Sequence, residues 1–287
     1  MKPLPDREIR TMTPGDIPGG LRLCRLARWN QLEADWREML SLSPQGGRVA
    51  IVQGKIVGSV VTLNYDNRFA WVGMLLVDPD ARGLGIGSEL FRTSLEVFPG
   101  LDPIRLDATP QGRPVYQRFG FVDEYELVRM QRETLPPLEM LQDRDLQRMP
   151  SEVPAEVLDW DQEVFGADRA GVLQWAKSSA PEYAWTVRQE GSLEGYCFGR
   201  HGNSFEHVGP IVTRRFEVAR QLLLACLGQY PEKRFILDVP LQREEWRSWL
   251  FQLGFSDQRP FTRMFKGENR YPGNPGQLWA ILGPEFA

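Results

Sequence analysis

The stretch Arg82-Gly83-Leu84-Gly85-Ile86-Gly87 is where residue types and spacing first suggest chemistry. Glycines allow positive φ and let a ligand approach the backbone closely. A helix N-terminus adds N–H groups without helical partners and the positive end of the dipole, which together favour an anion. Such a cradle needs a strand that feeds the glycines into a helix. The apolar run 71–77, closed by the turn signal Asp78-Pro79-Asp80, supplies the strand. Leu90, Phe91, Leu95 and Phe98 fall at helical spacing, Ser88 and Glu89 suit a first turn, and Pro99-Gly100 is a stop. That pattern predicts a helix beginning near Ser88.

The kind of phosphate ligand can be narrowed. No Lys-Ser or Lys-Thr follows the glycines, so the loop is not one for a nucleoside triphosphate. The dinucleotide fingerprint requires glycine where Ser88 stands, although Asp107 could mimic its ribose-binding acid, and a Rossmann reading stays as a minor alternative. A tight turn without any ligand is the plainer alternative for the glycines. Tyr116, taken by itself, reads as a core aromatic.

Written as Arg82-x-x-Gly85-x-Gly87, the loop resembles the acetyl-CoA pyrophosphate loop of the GNAT superfamily of N-acetyltransferases. A second stretch agrees. Residues 104–109, then Val115-Tyr116-Gln117-Arg118-Phe119-Gly120-Phe121, resemble the strand and the Tyr-x-x-x-Gly-Phe helix end of that superfamily. The resemblance is strongest over residues 1 to about 135. It implies acetyl-CoA as co-substrate, bound by Arg82, Gly83, Leu84, Gly85, Ile86, Gly87 and Ser88 at the diphosphate. The backbone of Leu75, Leu76 and Val77 would line one side of the pantetheine arm, with 104–109, including Thr109, opposite. It further implies Tyr116 as the acid that protonates the departing thiolate.

The base is less defined. Several members of the superfamily carry a glutamate on the central strand, where this chain has Trp71. Asp107, on the same strand face as Thr109, is the leading candidate, with a strand-end aspartate bonded to backbone amides as its other reading. His207 is a second candidate. Trp29 and Asn30, next to Trp36 and the helical stripe Arg22, Arg25 and Arg28, could form a lid over a small substrate, and Trp71 and His207 are further substrate candidates. The same residues read equally well as a solvated arginine stripe over buried tryptophans.

The elements that position these residues occur twice. Gln53-Gly54-Lys55-Ile56-Val57-Gly58 returns loosely as Glu190-Gly191-Ser192-Leu193-Glu194-Gly195, and Trp71-Val72-Gly73 as His207-Val208-Gly209. Leu106-Asp107 returns as Leu237-Asp238, Gly120-Phe121-Val122-Asp123 as Gly254-Phe255-Ser256-Asp257, and Arg129-Met130 as Arg263-Met264. The order never breaks and the offset stays between 131 and 137 residues, the mark of a duplication. The fold expected is α/β with a mixed α+β sheet. Two tandem GNAT-like domains each carry a mostly antiparallel sheet, a splayed central parallel pair and flanking helices. Each half should run strand, two helices, antiparallel strands, central strand, helix, strand, helix and a final strand pair. The boundary is expected at Thr134-Leu135-Pro136-Pro137, giving domains 1–135 and 138–287. In the second copy Val212-Thr213-Arg214-Arg215-Phe216-Glu217 replaces the glycine loop and Glu244-Glu245-Trp246-Arg247-Ser248-Trp249 replaces the tyrosine helix, so that copy is expected to be degenerate and to shape or support the site. The tail 278–282 is apolar enough to dock on the body.

Composition sets the frame. With 287 residues, 42% hydrophobic and 25% charged, the chain is long enough for two ordinary domains. A net charge of −4 offers no sequence-wide attraction for nucleic acid or an anionic membrane. Three separated cysteines and two histidines suggest neither a disulfide framework nor a metal site, and fit buried thiols in a reducing cytoplasm. No apolar run nears membrane-spanning length and no secretory segment opens the chain. The leading expectation is an acetyl-CoA-dependent N-acetyltransferase acting on a primary amine of a small molecule by direct attack in a ternary complex. An acyl-CoA-binding regulatory module and a protein-lysine acetyltransferase are the alternatives, and a homodimer stays open.

Overall fold

A computed structural model describes residues 7–133 and 144–287, so the expected boundary prolines lie outside the described residues. The chain is an α/β protein that divides into two compact units. One comprises Met1–Leu106 with Phe265–Asn269, the other Asp107–Met264 with Arg270–Ala287.

The first unit contains β1 (Arg7–Thr11), α1 (Ile17–Ala27), α2 (Glu33–Leu42), β2 (Gly47–Val52), β3 (Lys55–Tyr65), β4 (Phe69–Val77), α3 (Ile86–Leu95) and the start of β5 (Ile104–Ala108). Its strands follow in chain order β1-β2-β3-β4-β5, antiparallel except for the parallel pair β4/β5. The β2–β3 hairpin turns on Gln53 and Gly54, both at positive φ, as a two-residue turn matching strand twist requires. Helix α3 buries Ile86, Leu90 and Phe91 and so is held on the sheet by one apolar face.

The second unit holds the end of β5, then α4 (Arg113–Arg118), β6 (Val122–Arg132), β7 (Leu146–Arg148), α5 (Ala155–Phe165), α6 (Ala170–Ser179), β8 (Trp185–Gln189), β9 (Ser192–Arg200), β10 (Glu206–Thr213), α7 (Phe216–Leu227), β11 (Phe235–Pro240), α8 (Glu244–Gln252), most of β12 (Ser256–Lys266) and β13 (Leu278–Ala280). Its strand order is β12-β6-β11-β10-β9-β8-β7, with β13 attached to β10. The β8–β9 hairpin repeats the earlier turn, Glu190 and Gly191 again at positive φ. Helix α7 carries Glu217, Arg220 and Gln221 along one face and buries the other, Val218, Leu222, Leu223 and Leu227 lying in a core that includes Phe235 and Trp246.

The sequence repeat and the compact units do not coincide. The final strand pair expected within each half is made jointly: each repeat ends in a single strand, β6 or β12, and these two lie side by side. The last strand of the first repeat, β6, runs antiparallel to β11 of the second, with Arg129 opposite Asp238. Arg129 donates to both Asp238 oxygens at 2.8 and 2.7 Å. Arg263, its repeat counterpart on β12, donates to both oxygens of Asp107 at 2.8 Å. Each repeat therefore lends its closing arginine to the other's aspartate.

Candidate active site

The glycine loop lies in the first unit, and the element before it is distorted. The β3–β4 register shifts between Ser59 and Val61, and Met74 on β4 has φ +55°, a conformation costly for a residue with a β-carbon. Ser59 Oγ donates to the Met74 carbonyl at 3.0 Å, fixing this bulge. The bulge re-aims the end of β4: Leu76 is buried, whereas Gly73, Leu75 and Val77 are half-buried. Asp78 follows and accepts from the Asp80 amide, from Arg22 at 2.8 Å and from Lys55 at 3.2 Å. Burial opposes its charge, but these hydrogen bonds hold the Asp78 carboxyl below its usual range.

Beyond that anchor the chain opens into the cradle. Arg82 is exposed and its Nε donates to the Val77 carbonyl at 3.4 Å. Gly83 and Gly85 have φ of +77° and +76°, and a β-carbon built at either meets nothing within 4 Å. Space, as well as backbone conformation, is thus kept beside the peptide. Gly85 is the N-cap of α3 and no side chain caps the helix, so its first-turn amides, near Ile86, Gly87 and Ser88, have no capping side chain as acceptor. Arg7 pins the loop from β1, donating to the Leu84 carbonyl at 2.7 Å and pairing with Glu89.

Asp107, Thr109 and Tyr116 belong to the second unit. Thr109 closes β5 by accepting from the Gly112 amide, through its carbonyl at 2.9 Å and its Oγ1 at 3.2 Å, and this turn launches α4. Tyr116 on α4 is half-buried, its ring against Gly112 and 6.2 Å from that of Phe121. Burial raises its phenol well above the ordinary value, so it stays protonated and can donate. Asp107 is differently disposed. Both its oxygens engage Arg263, whose Nη1 also donates to Tyr125 OH at 2.5 Å, and its side chain is fully buried. Burial pushes its carboxyl upward against the pull of Arg263. With both oxygens committed to a guanidinium, Asp107 has the geometry of a structural ion pair.

The weaker substrate candidates separate in the same way. Trp71 is fully buried in β4, and His207 is fully buried on β10, Nε2 3.1 Å from Asp238 and Nδ1 3.0 Å from Arg200. Neither presents a surface to a substrate. Asn30 is buried and Trp29 half-buried, while Arg22 leaves the expected stripe to hold Asp78 and the Ile56 carbonyl. Arg7, Ser59 and Asp78 were not among the expected site residues. Asp78 had a signal in its turn sequence, whereas Arg7 and Ser59 act through partners remote in the chain.

At the second copy's counterpart of the loop, Arg214 stacks over Trp160 and Arg215 donates to Gln189 at 2.6 Å. No positive-φ glycine precedes α7 there. Where the first copy has Tyr116, α8 carries Trp246 and Trp249, stacked at 5.1 Å. Among the described residues no group of His, Cys, Asp and Glu is arranged to hold a metal ion, and no helix is long and apolar enough to cross a membrane.

Profiles of the acetyltransferase (GNAT) domain match residues 45–123 and, separately, 157–280. The chain belongs to the GNAT superfamily, with two GNAT domains in tandem. It is similar over 93% of its length to 93% of the uncharacterized N-acetyltransferase YitH of Bacillus subtilis, at 27% identity. Holothin acyltransferase of a Pseudoalteromonas species is 24% identical, over 90% of this chain and 87% of that protein. The crystal structure of a candidate acetyltransferase from Pyrococcus horikoshii superposes with a TM-score of 0.83 at 25% identity, covering 99% of this chain and 98% of that one. Acyl transfer is the class of chemistry these relationships support.

Proposed function

We propose that this chain transfers an acetyl group from acetyl-CoA to an amine of a small molecule, using the cradle of its first copy. The observation that carries the reading is the pair Gly83 and Gly85, both at positive φ with open space at the β-carbon, leading into the uncapped start of α3. Residues 82–88 would hold the diphosphate, and Leu76, Val77 and Thr109 the arm. When bound, acetyl-CoA supplies an activated thioester.

The residues of the chain divide the remaining work. Backbone N–H groups on the bulged end of β4 are the donors for the carbonyl as the amine nitrogen bonds to its carbon. Tyr116, kept protonated by burial, gives its proton to the departing sulfur, a role typically contributing about 10²–10⁴-fold. The ammonium proton leaves through water, because Asp107 is committed to Arg263. The second copy, with no glycine in 212–217 and no tyrosine in 244–249, supports rather than catalyses.

Titration calorimetry with acetyl-CoA, followed by thiol release across a panel of small amines, tests the reading. Tyr116→Phe should bind acetyl-CoA normally and lose at least a hundredfold in kcat. No binding at millimolar acetyl-CoA ends the proposal. Binding without thiol release from any amine favours a regulatory module, and release with lysine peptides alone favours a protein substrate.

A further inference from the structure

The parallel strands β10 and β11 pair only at Glu206↔Phe235 and His207↔Ile236 and then diverge. The opening is filled by the chain itself. Strand β13 lies antiparallel to β10, Ala280 opposite Ile211 and Leu278 opposite Val212, and one residue further the Ile281 amide donates to the Asp238 carbonyl of β11 at 3.0 Å. One short segment thus satisfies backbone groups on both separated strands. The side chains follow: every residue of β10 is buried, as are 278–282, whereas β4 of the first copy keeps Gly73, Leu75 and Val77 half-exposed.

The same segment covers the entrance to α7. The Trp279 indole donates to the Thr213 carbonyl at 2.8 Å and packs on Phe216, the first residue of α7, and on Trp246 of α8. Arg243 stacks over the Trp279 ring itself, 4.0 Å from its centroid. At the divergence point the approach is so close that a β-carbon on Gly209 would meet the Ile281 carbonyl oxygen at 1.9 Å.

We infer that residues 278–282 are a permanent occupant of the second copy's central cleft, a strand supplied in cis that keeps acyl-CoA out of that copy. This rests on the reading that acetyl-CoA binds at the first copy, and it fixes the stoichiometry at one per chain. The segment is a structural strand and not a lid, because its bonds reach β10, β11 and the α7 entrance at once.

The test uses the full-length chain. Calorimetry with acetyl-CoA should give one equivalent, abolished by Gly85→Val. Hydrogen exchange should find the amides of 278–282 protected, and equally so with saturating acetyl-CoA. Gly209→Ala, aimed at the contact with Ile281, should speed exchange in 278–282 at least tenfold while the Gly85-dependent equivalent persists. Two equivalents in the wild type, or faster tail exchange on adding acetyl-CoA, overturns the inference. If the wild type binds no acetyl-CoA, a protected tail supports the strand assignment while the functional reading fails, and an unprotected tail overturns the assignment as well.

Discussion

Gly83 and Gly85 show how little of a binding site needs to be side chain. At φ near +76° an alanine carries a strain of about 1–2 kcal/mol, yet its methyl group would meet no atom of this chain within 4 Å. Gly85→Ala should therefore fold, with a stability loss of that order visible in urea denaturation. Its affinity for acetyl-CoA should nonetheless fall at least tenfold in calorimetry, because the methyl projects into the space the diphosphate would use. An unchanged affinity would mean that the loop is only a turn. Tyr116 makes a complementary point about proton supply. Its phenol is raised by burial, so the acid form persists through and beyond neutral pH. The alkaline limb of kcat should not fall below about pH 10, the ordinary tyrosine value, and a limb near neutrality that vanishes in Tyr116→Phe would contradict this. These residues were legible because glycine and tyrosine at fixed spacing have few interchangeable substitutes. Met74 was not: nothing in an apolar run of strand-forming residues signals that its middle residue will sit at positive φ.

The strand and helix framing the loop were also readable, with shifts that have local causes. Residues 71–77 fall inside β4, and α3 starts at Ile86, two residues before the expected Ser88, since Gly85 at positive φ serves as N-cap in place of a side chain. The closing strands were not readable. Alternation identifies a strand but carries no label for its neighbour, so β6 and β12 looked local to their own repeats. The repeated aspartate and arginine were visible as a pattern, whereas their reciprocal pairing, Arg129 with Asp238 and Arg263 with Asp107, depends on that exchange. The symmetry of the two pairs argues that both are structural. Removing one partner of a buried pair typically costs about 3–5 kcal/mol. Asp107→Asn should accordingly lose stability on that scale in denaturant titration. The double variant Asp107→Leu with Arg263→Met should recover most of it and keep the wild-type pH dependence of kcat. Loss of turnover in a stably folded double variant would return Asp107 to the role of base.

Over the whole chain, duplication produced two copies that have diverged in opposite directions, one keeping an open glycine cradle and the other closing its cleft with a strand and an ionic cluster. In the closed copy His207 stands between Arg200 and Asp238, with Arg129 on the far side of Asp238 and Glu285 paired to Arg200. Burial first, and then the charge of Arg200, lowers the imidazole below 6.5 despite Asp238, so it is neutral at pH 7. The unfolded chain titrates at the ordinary value and binds this proton more readily than the folded one. A group with a depressed folded value contributes stability above the unfolded pKa and loses it as pH falls. Stability should therefore decline as pH drops below about 6.5, by up to about 1.4 kcal/mol per pH unit for this proton. The decline should start before Asp238 contributes: burial raises that carboxyl but Arg129 and His207 hold it well below the usual range, so its stabilisation is lost only as pH falls below the ordinary aspartate value of about 3.9. His207→Gln keeps a polar side chain at this position and removes the titration. Measured by thermal melting from pH 7.5 to 5, the variant should show a flatter slope whatever its absolute stability; equal slopes would show that other groups carry the acid sensitivity.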